Sequence, residues 1–546
     1  MNGIRCEVEA GRKAGAGQRP CPLRRRGASW KSIVSRRGAN SKGSFRHRGA
    51  SLSGAVTLYL TLTLAAALTL YFVLISGARL GAARMQMESV SRIAQNAALA
   101  EFHGELHSRY DLFFADTSYG GAGGGDGAFA RHLREYMERN CVRKTVLPLG
   151  TIRDWTAMRI GEVQVPEARY ACDNAGQAVR EQVYAYMAAD PAGALISGLL
   201  VSADHWRGLE ISGREWEAKT QESREELVQA LKERREEQRR ENEEKEDREE
   251  EVTDEEREAA SGEPSEAENM VEQIGSFQFL PVLMQVFGNT ESLSDRAVQM
   301  GSTLSGRNVH LGTGLKAENT HGYPRADEIL FDRYIYEKTG NCVRPSEDGR
   351  LRYQMEYILC GKGSDRENLE GTAVRLLLIR EASNGVYLFT DEERMGRVHL
   401  VASVASFLLL SPELEEPIAN ALALAWSYLE SVQDVRTLMT GGKVPVQKTA
   451  QSWQTGLHEL LTPMTAIRDR EKGEGLDYDG YLQGLLLLEG STVKTQRTMD
   501  VMEMDIRRIT GNGGFRLDLC LDTFRMRADA EACGTKFSFE GTGGYN

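Results

Sequence analysis

Two histidines give the sharpest chemical signal in the chain. His103 and His107 stand four residues apart in the stretch His-Gly-Glu-Leu-His. That spacing puts both imidazoles on one face of a helix and suits two ligands of one zinc ion. A metalloprotease would instead need H-E-x-x-H, with its catalytic Glu directly after the first ligand. No third ligand follows nearby, so the sequence favours two solvated histidines on a surface helix over a metal site.

The common motifs of enzymes are missing from the sequence. There is no G-x-S-x-G nucleophile motif of the serine hydrolases. The Gly-rich stretch from Tyr119 to Gly127 lacks both the G-K-[ST] ending and the G-x-G-x-x-G register of phosphate-binding loops, which favours a flexible loop. Acidic residues are plentiful, but no spacing singles out a general acid and base. We therefore predict no catalytic, cofactor-binding or metal-binding residues, and a protein that is not an enzyme.

Cysteine usage points to an oxidising compartment. Six of the eight cysteines follow residue 78, an even number that fits disulfides and allows 15 pairings. Cys520 and Cys533 are the favoured pair, because both lie on or beside the predicted final strands. The alternative is that some of these cysteines are buried free thiols. The six are Cys141, Cys172, Cys342, Cys360, Cys520 and Cys533.

Charged residues on two predicted helices can form a buried polar network. Arg375, Arg380 and Glu381 belong to one helix, and Glu430 and Asp434 to another. If the helices pack together, these side chains neutralise one another and fix the packing without any catalytic role.

The elements that must position these residues begin with a membrane anchor. Residues 52–78 contain no charged side chain, and about 20 apolar residues suffice to cross a bilayer. The preceding flank carries Lys and Arg close to this segment, which predicts a cytoplasmic N-terminus and an extracellular body. The flanking residues are Arg36, Arg37, Lys42, Arg46 and Arg48. A cleaved signal peptide ending near Ser76-Gly77-Ala78 is the alternative, although the apolar stretch is long for one.

Residues 1–50 are basic, and the rest of the chain is acidic. Residues 1–50, the head, hold 13 Lys/Arg and 2 Asp/Glu and so carry a net charge of +11. Because the whole chain carries −12, residues 51–546 carry −23. The composition of residues 1–50 predicts a disordered cytoplasmic head. Trp30 and Phe45 are its only aromatic residues, so it lacks the stacking platforms of a nucleic-acid-binding domain. We therefore expect no nucleic-acid partner.

Beyond the predicted transmembrane helix (51–78), apolar residues recur at close to a helical period as far as Tyr110, without a proline. This predicts one continuous rod that leaves the bilayer and packs on a first lobe, residues 79–212. A helix whose first half faces lipid and whose second half packs on a soluble domain resembles the spine helix of pilins. The Ser/Gly-rich sequence around Gly49, just before the apolar segment, resembles a prepilin peptidase site. Gly54 stands where type IV pilins carry a Glu.

Residues 213–269 form a Glu/Arg/Lys-rich insert that we expect to be an exposed helix or disordered spacer. The second lobe, 270–546, is predicted to be mainly helical. A helix capped at Ser364 is expected to end at Gly385, and residues 400–410 are expected to form a buried helix. The alternating tail after Phe515 predicts a β-hairpin.

Several stretches make the chain similar to an uncharacterised family of bacterial single-pass membrane proteins whose genes are commonly found near tight-adherence (Tad, or Flp) pilus systems. They are residues 77–84, 110–116, 356–369, 375–382, 425–436 and the closing strands from Phe515. The resemblance implies an anchored, minor-pilin-like surface protein, and it brings no known active site.

The sequence thus predicts an α+β protein with a pilin-like transmembrane helix, a mainly helical ectodomain and a C-terminal β-hairpin. We expect a non-enzymatic component or accessory of a pilus-like assembly, with the lipid bilayer and other surface proteins as partners. The alternatives are a surface-anchored hydrolase and a ligand-binding sensor whose basic head contacts a cytoplasmic partner or anionic lipid.

Overall fold

The structure is a computed structural model. It describes residues 52–121, 123–141, 146–147, 150–151, 156–189, 196–247, 281–313, 315, 324–461 and 473–545. The predicted basic head lies outside these ranges. The described chain is mainly helical with a small antiparallel sheet, which confirms the predicted α+β class.

The helices fall in chain order as follows: α1 (Leu52–Ala100), α2 (Gly104–Tyr110), α3 (Asp126–Cys141), α4 (Gln177–Ala188), α5 (Ile196–Asp247), α6 (Val282–Phe287), α7 (Pro324–Lys338), α8 (Gln354–Cys360), α9 (Asp365–Thr390), α10 (Glu392–Leu408), α11 (Glu415–Met439), α12 (Tyr478–Leu486) and α13 (Ser491–Arg508). The strands are β1 (Ala115–Asp116), β2 (Val146–Leu147), β3 (Gly150–Thr151), β4 (Arg159–Tyr170), β5 (Cys520–Ala532) and β6 (Thr535–Gly544).

Contacts divide the chain into two compact units. Unit 1 comprises Met1–Ala98, Phe129–Pro166 and Arg525–Gly543, and unit 2 comprises Leu99–Ala128, Glu167–Phe524 and Gly544–Asn546. This division differs from the two expected lobes, because the C-terminal strands return to the early part of the chain.

Helix α1 changes environment along its length. Its apolar N-terminal part is long enough to cross a membrane, and none of the most apolar 18-residue window is buried by protein. Further along, side chains three or four residues apart are buried within unit 1, namely Ala83, Met87, Val90, Ala94 and Ala98. The predicted change from an exposed apolar helix to a packed one is therefore confirmed.

The expected continuous rod as far as Tyr110 is wrong. Helix α1 ends at Ala100, and Phe102 then forms an isolated β-bridge with Ala115. His103 caps a separate helix, α2, in which Leu106 and Tyr110 are buried. The periodicity continued because the buried positions of α2 happen to keep the spacing of α1.

The sheet has the order β1-β5-β4, with β6 pairing with β5. Strand β1 is antiparallel to β5, with Ala115 opposite Leu521 and Asp116 opposite Cys520. Strands β5 and β6 meet at Cys533 and Gly534, both with positive φ, as a two-residue type I′ turn requires. The predicted C-terminal hairpin is confirmed.

Helix α5 passes through the boundary expected after residue 212. Although its C-terminal half is rich in charge, Trp206, Leu227 and Leu231 are buried in the hydrophobic core of unit 2. Its main packing partners are α9 and α11. The expected insert is thus a packed helix over its first part, whereas residues 248–280 lie outside the described ranges.

Two expectations about helices α9 and α10 are corrected. Ser364 does cap α9, since its hydroxyl accepts from the Glu367 amide at 3.3 Å, but α9 continues through Gly385 to Thr390. Helix α10 was expected to be buried, yet Leu400 is 68% and Phe407 75% exposed. Composition predicted an apolar helix correctly but could not reveal what covers it.

Candidate functional site: a buried ionic cluster

The two histidines are half-buried and do not share one helical face, because His103 precedes α2 as its N-cap and His107 lies within it. The Nδ1 atom of His103 accepts from the Leu106 amide at 3.2 Å, which caps α2, and its ring packs on Phe515 at 4.4 Å between centroids. Burial lowers the pKa of His103 and so disfavours the charged form of its ring. His107 stacks on Phe113 at 4.2 Å. Among the described residues no group of three His, Cys, Asp or Glu side chains could hold a metal ion.

The six cysteines are free thiols, so the expected disulfides, including the Cys520–Cys533 pair, are contradicted. Cys520 is the first residue of β5, and Cys533 follows its last residue. The 13-residue strand lies between their Cα atoms, which a disulfide requires to be within about 7 Å of each other. Burial raises the pKa of the Cys172, Cys342 and Cys520 thiols, which keeps them protonated and unreactive.

Side-chain hydrogen bonds hold one end of the Gly-rich loop in place. Thr117 donates its hydroxyl to the Leu519 carbonyl at 2.7 Å and accepts from the Gly125 amide at 2.9 Å. Tyr170 donates to Asp126 at 2.7 Å. These bonds hold the turn that starts α3, and none of them forms a phosphate cradle.

The predicted network between two helices exists in part, and its ion pairs are fully buried. Arg380 of α9 reaches Asp434 of α11 at 2.9 Å, with both side chains fully buried. Lys448, from the loop after α11, bonds to Asp434 at 2.8 Å and to Glu430 at 2.5 Å. We call Arg380, Glu430, Asp434 and Lys448 the ionic cluster.

Helical spacing places the members of this cluster. Arg380 and Asn384 lie one turn apart on α9, and Glu430 and Asp434 lie one turn apart on α11, so each pair shares a face. Asn384 donates to Asp434 at 3.0 Å and thereby completes the contact between the two helices.

The remaining polar atoms of the cluster are also bonded. Arg380 donates to the carbonyls of Pro445 and Val446 at 2.8 and 2.9 Å, and to the Tyr481 hydroxyl at 3.0 Å. Glu430 accepts from the Gln454 and Thr455 amides at 2.8 and 2.7 Å. The cluster therefore also fastens the loop that follows α11.

Two cations balance two carboxylates, so the cluster is neutral overall. Burial by itself favours a neutral carboxyl, but Arg380 and Lys448 hold the pKa of Asp434 below its ordinary value. Both side chains of each of these ion pairs are fully buried. Such an arrangement fixes how helices pack and does not by itself carry out chemistry.

Two residues expected in the network lie elsewhere. Arg375 pairs with Glu489 at 2.5 Å and approaches Glu210 of α5 at 3.6 Å. Glu381 is buried apart from the cluster, and burial together with the Glu217 carboxylate raises its pKa to about 8. Lys448 was missed, because it lies in a loop that carries no periodic signal.

Helix α13 carries a second set of buried carboxylates, which the sequence did not reveal. Asp500 accepts from the Leu304 amide at 2.6 Å, Glu503 pairs with Arg307 at 2.5 Å, and Asp505 accepts from the Tyr110 hydroxyl at 2.9 Å. Each carboxylate fixes a segment distant in the chain. The alternation of Met with acidic residues in this helix was the available signal, since methionine is an apolar residue that fills gaps in hydrophobic cores.

Comparisons with known proteins identify one relationship. The model of a family of unknown function matches residues 260–532, which is half of the chain and excludes α1. No curated protein and no solved structure matches.

Proposed function

Since the chain belongs to this family, DUF5702, we propose a function from its own architecture: a non-enzymatic, single-pass membrane protein that displays a folded ectodomain as a component or accessory of a pilus-like, tight-adherence assembly. The observation that carries the proposal is the change of environment along α1.

An uninterrupted helix joins the exposed apolar segment to a packed one. Val56 to Leu74 present large apolar side chains that are mostly more than half exposed, whereas Met87 and Val90 are buried within unit 1. Gln86 fixes the transition, because it donates to the Cys141 carbonyl at 3.1 Å and accepts from the Thr156 hydroxyl at 2.6 Å. A helix of this kind holds a folded head at a set height above a bilayer, as the pilin spine does.

The interior supports a structural role. The buried ion pairs of the ionic cluster and the buried carboxylates of α13 connect helices and loops to one another. The basic flank before α1 supports a cytoplasmic N-terminus and an extracellular body. In the proposed assembly the exposed side chains of α1 contact lipid and the apolar helices of neighbouring subunits.

Protease shaving of intact cells that produce the full chain with an epitope tag at each end tests the topology. We expect loss of the C-terminal tag and survival of a short N-terminal fragment. Protection of the C-terminal tag in intact cells, with cleavage after lysis, would contradict the proposed orientation.

A photo-crosslinker tests the assembly role. p-Benzoylphenylalanine at Tyr59, 71% exposed on α1, should form adducts with other small membrane proteins of the pilin type, identified by mass spectrometry. The same group at Met85, 74% exposed but beyond the apolar segment, should give few. Adducts with lipid alone at Tyr59 would support the membrane anchor and contradict the pilus-like assembly.

A further inference from the structure

Two cysteines of unit 1 lie against one short segment of chain. The Cys141 thiol donates to the Met158 carbonyl at 3.4 Å, and the Cys533 thiol donates to the Thr156 carbonyl at 3.8 Å. Residues two apart span at most about 7 Å in an extended chain. Ala157, which stands between the two carbonyls, has φ 46°, so the chain turns there. Both sulfur atoms therefore contact the same turn, although one cysteine lies early in the chain and the other near its end.

A second link holds Cys141 at this turn. The Gln86 side chain of α1 donates to the Cys141 carbonyl at 3.1 Å and accepts from the Thr156 hydroxyl at 2.6 Å. One side chain thus joins the end of α3, the turn and the first buried part of α1. All of these residues, and Cys533 with them, belong to unit 1, so their contacts lie within one compact unit.

The backbone at both places adopts a conformation that L residues rarely take. Cys533 has φ 54° as the first residue of the β5–β6 turn, a position that favours Asn, Asp or Gly. Ala157, beside the carbonyl that Cys533 contacts, also has positive φ. Such conformations are kept where the surrounding structure compensates for them, and they are concentrated at functional positions. The turn does not itself require a cysteine, which points to a role for the thiol.

The two thiols differ in their access to solvent. Cys533 is exposed, whereas Cys141 is 4% exposed. An exposed thiol can react with a disulfide in solution, and a buried neighbour can then react with the sulfur next to it. Burial raises the pKa of the other four thiols, which disfavours their reaction. These four are Cys172, Cys342, Cys360 and Cys520.

We propose that Cys141 and Cys533 are a redox pair, and that their oxidation to a disulfide locks α1, α3 and the β5–β6 turn together. The Cys533 thiolate attacks the disulfide of a small-molecule oxidant, here oxidised glutathione, which gives a mixed disulfide and releases one glutathione thiol. The Cys141 thiolate then attacks the Cys533 sulfur and releases the second glutathione. Two protein thiols are oxidised, and one glutathione disulfide is reduced to two thiols that take up the two protons. The free thiols of the structure are the reduced form of this pair.

Oxidation of the purified protein tests the pair. The full chain, with Cys6→Ser and Cys21→Ser, is equilibrated in detergent with mixtures of reduced and oxidised glutathione, and free thiols are then blocked with N-ethylmaleimide. Trypsin should release a disulfide-linked pair of peptides, residues 140–143 and 528–536, whose yield rises with the share of oxidised glutathione. We expect this pair to be at least fivefold more abundant than any other linked pair. Its absence, or a Cys533 that carries only glutathione, would overturn the inference.

Two single variants test the assignment of the pair. Cys533→Ser should leave Cys141 unoxidised in the same mixtures. Cys360→Ser, which replaces a half-buried thiol of unit 2, is the matched control and should give the linked peptides in the parent's yield. A covalent dimer through Cys533 on a non-reducing gel would assign this thiol to a second copy and would also overturn the inference.

Hydrogen exchange tests the lock separately from the bond. Amides of residues 87–98 in α1 and 129–141 in α3 should exchange at least fivefold more slowly after oxidation, whereas Cys533→Ser should show no change between the two redox mixtures. A linked pair without slower exchange would refute the lock. Both measurements use purified protein, so their outcome is independent of the membrane topology and of the pilus-like assembly proposed above.

Discussion

The indole of Trp216 lies directly against the backbone of Gly385. A Cβ atom added to Gly385 would come within 2.9 Å of Cε3 of that ring, closer than real Cβ contacts. This contact brings α5 and α9 together and explains why a glycine stands inside a helix that continues to Thr390. A Cβ atom added to Gly213 of α5 would come still closer to the Leu378 carbonyl of α9.

Gly385→Ala should therefore destabilise the protein, although alanine favours helix formation. We expect a loss of about 1–3 kcal/mol in the free energy of unfolding, because the rigid ring and the helix must separate. Gly396→Ala is the matched control: Gly396 lies in α10, and a Cβ there meets nothing within 4 Å. The control should be neutral or more stable by up to about 1 kcal/mol. Denaturant unfolding in detergent measures both, and equal effects would contradict the close contact.

Removing one carboxylate from the ionic cluster should be costly. Asp434→Asn leaves Arg380 and Lys448 with Glu430 as their one anionic partner, and we expect a loss of about 3–5 kcal/mol. The double variant Asp434→Asn/Lys448→Met restores the balance of charge and should recover part of that loss. Glu393→Ala, which removes an exposed ion pair, should change stability by no more than about 0.5 kcal/mol. A double variant no more stable than Asp434→Asn would show that charge balance is not what the cluster provides.

Glu381 should make stability depend on pH. Its pKa is raised to about 8 in the folded protein, above the ordinary carboxyl value, because burial disfavours the charged form. Between these two values the unfolded chain has lost a proton that the folded chain keeps, so stability falls as pH rises. Glu381→Gln removes this contribution and should gain on the order of 3 kcal/mol over the wild type between pH 5 and pH 8.

Glu215→Gln, at an exposed position of α5, is the control for that measurement. Its stability should run parallel to that of the wild type across the same pH range. Parallel curves for Glu381→Gln and the wild type would show that Glu381 ionises normally in the folded protein.

The charged helix α5 should contribute to the core. Leu231 is 3% exposed within the hydrophobic core of unit 2, and Leu231→Ala should cost about 2–5 kcal/mol. Val228, half-buried on the same helix, should lose much less on substitution by alanine. Thermal unfolding of the two variants compares them. If Leu231→Ala were as mild as Val228→Ala, the segment would be the solvated spacer that its composition suggested.

A charge placed in the apolar part of α1 should weaken membrane retention. Leu64→Arg lies near the centre of the apolar segment, where an arginine costs about 2.5–3.5 kcal/mol on insertion. Met85→Arg, on an exposed position of the same helix beyond that segment, should be retained like the wild type. The fraction of protein left in the membrane after carbonate extraction distinguishes them, and equal retention of both would argue against a span.

Local signals in the sequence predicted local structure well. Ser364 with Glu367 three residues later located the start of α9, because a hydroxyl that bonds to a free amide is a purely local device. Alternation of apolar and polar residues after Phe515 predicted the C-terminal strands for the same kind of reason. Arg380 and Asp434 could be paired from sequence because each lies on a helix whose apolar face was readable.

Features that depend on the partner of a residue could not be predicted. A glycine usually ends a helix, and only the position of Trp216 shows that Gly385 instead makes room for a ring. Two leucines among many charged residues were too sparse to reveal that α5 is packed. The apolar composition of α10 is the same whether protein, lipid or solvent lies against it, so its exposure could be seen only in three dimensions.

The pairing of β1 with β5 has a consequence for biosynthesis. Ala115 lies opposite Leu521, so this strand edge stays open until Cys520 and Leu521 have left the ribosome, about 400 residues later. The carboxylates of α13 likewise reach Leu304 and Tyr110 only late in translation. Until then residues 115–116 lack their strand partner, and an unpaired strand edge favours aggregation. Products truncated near the C-terminus should be cleared by quality control and should not accumulate as shorter folded forms.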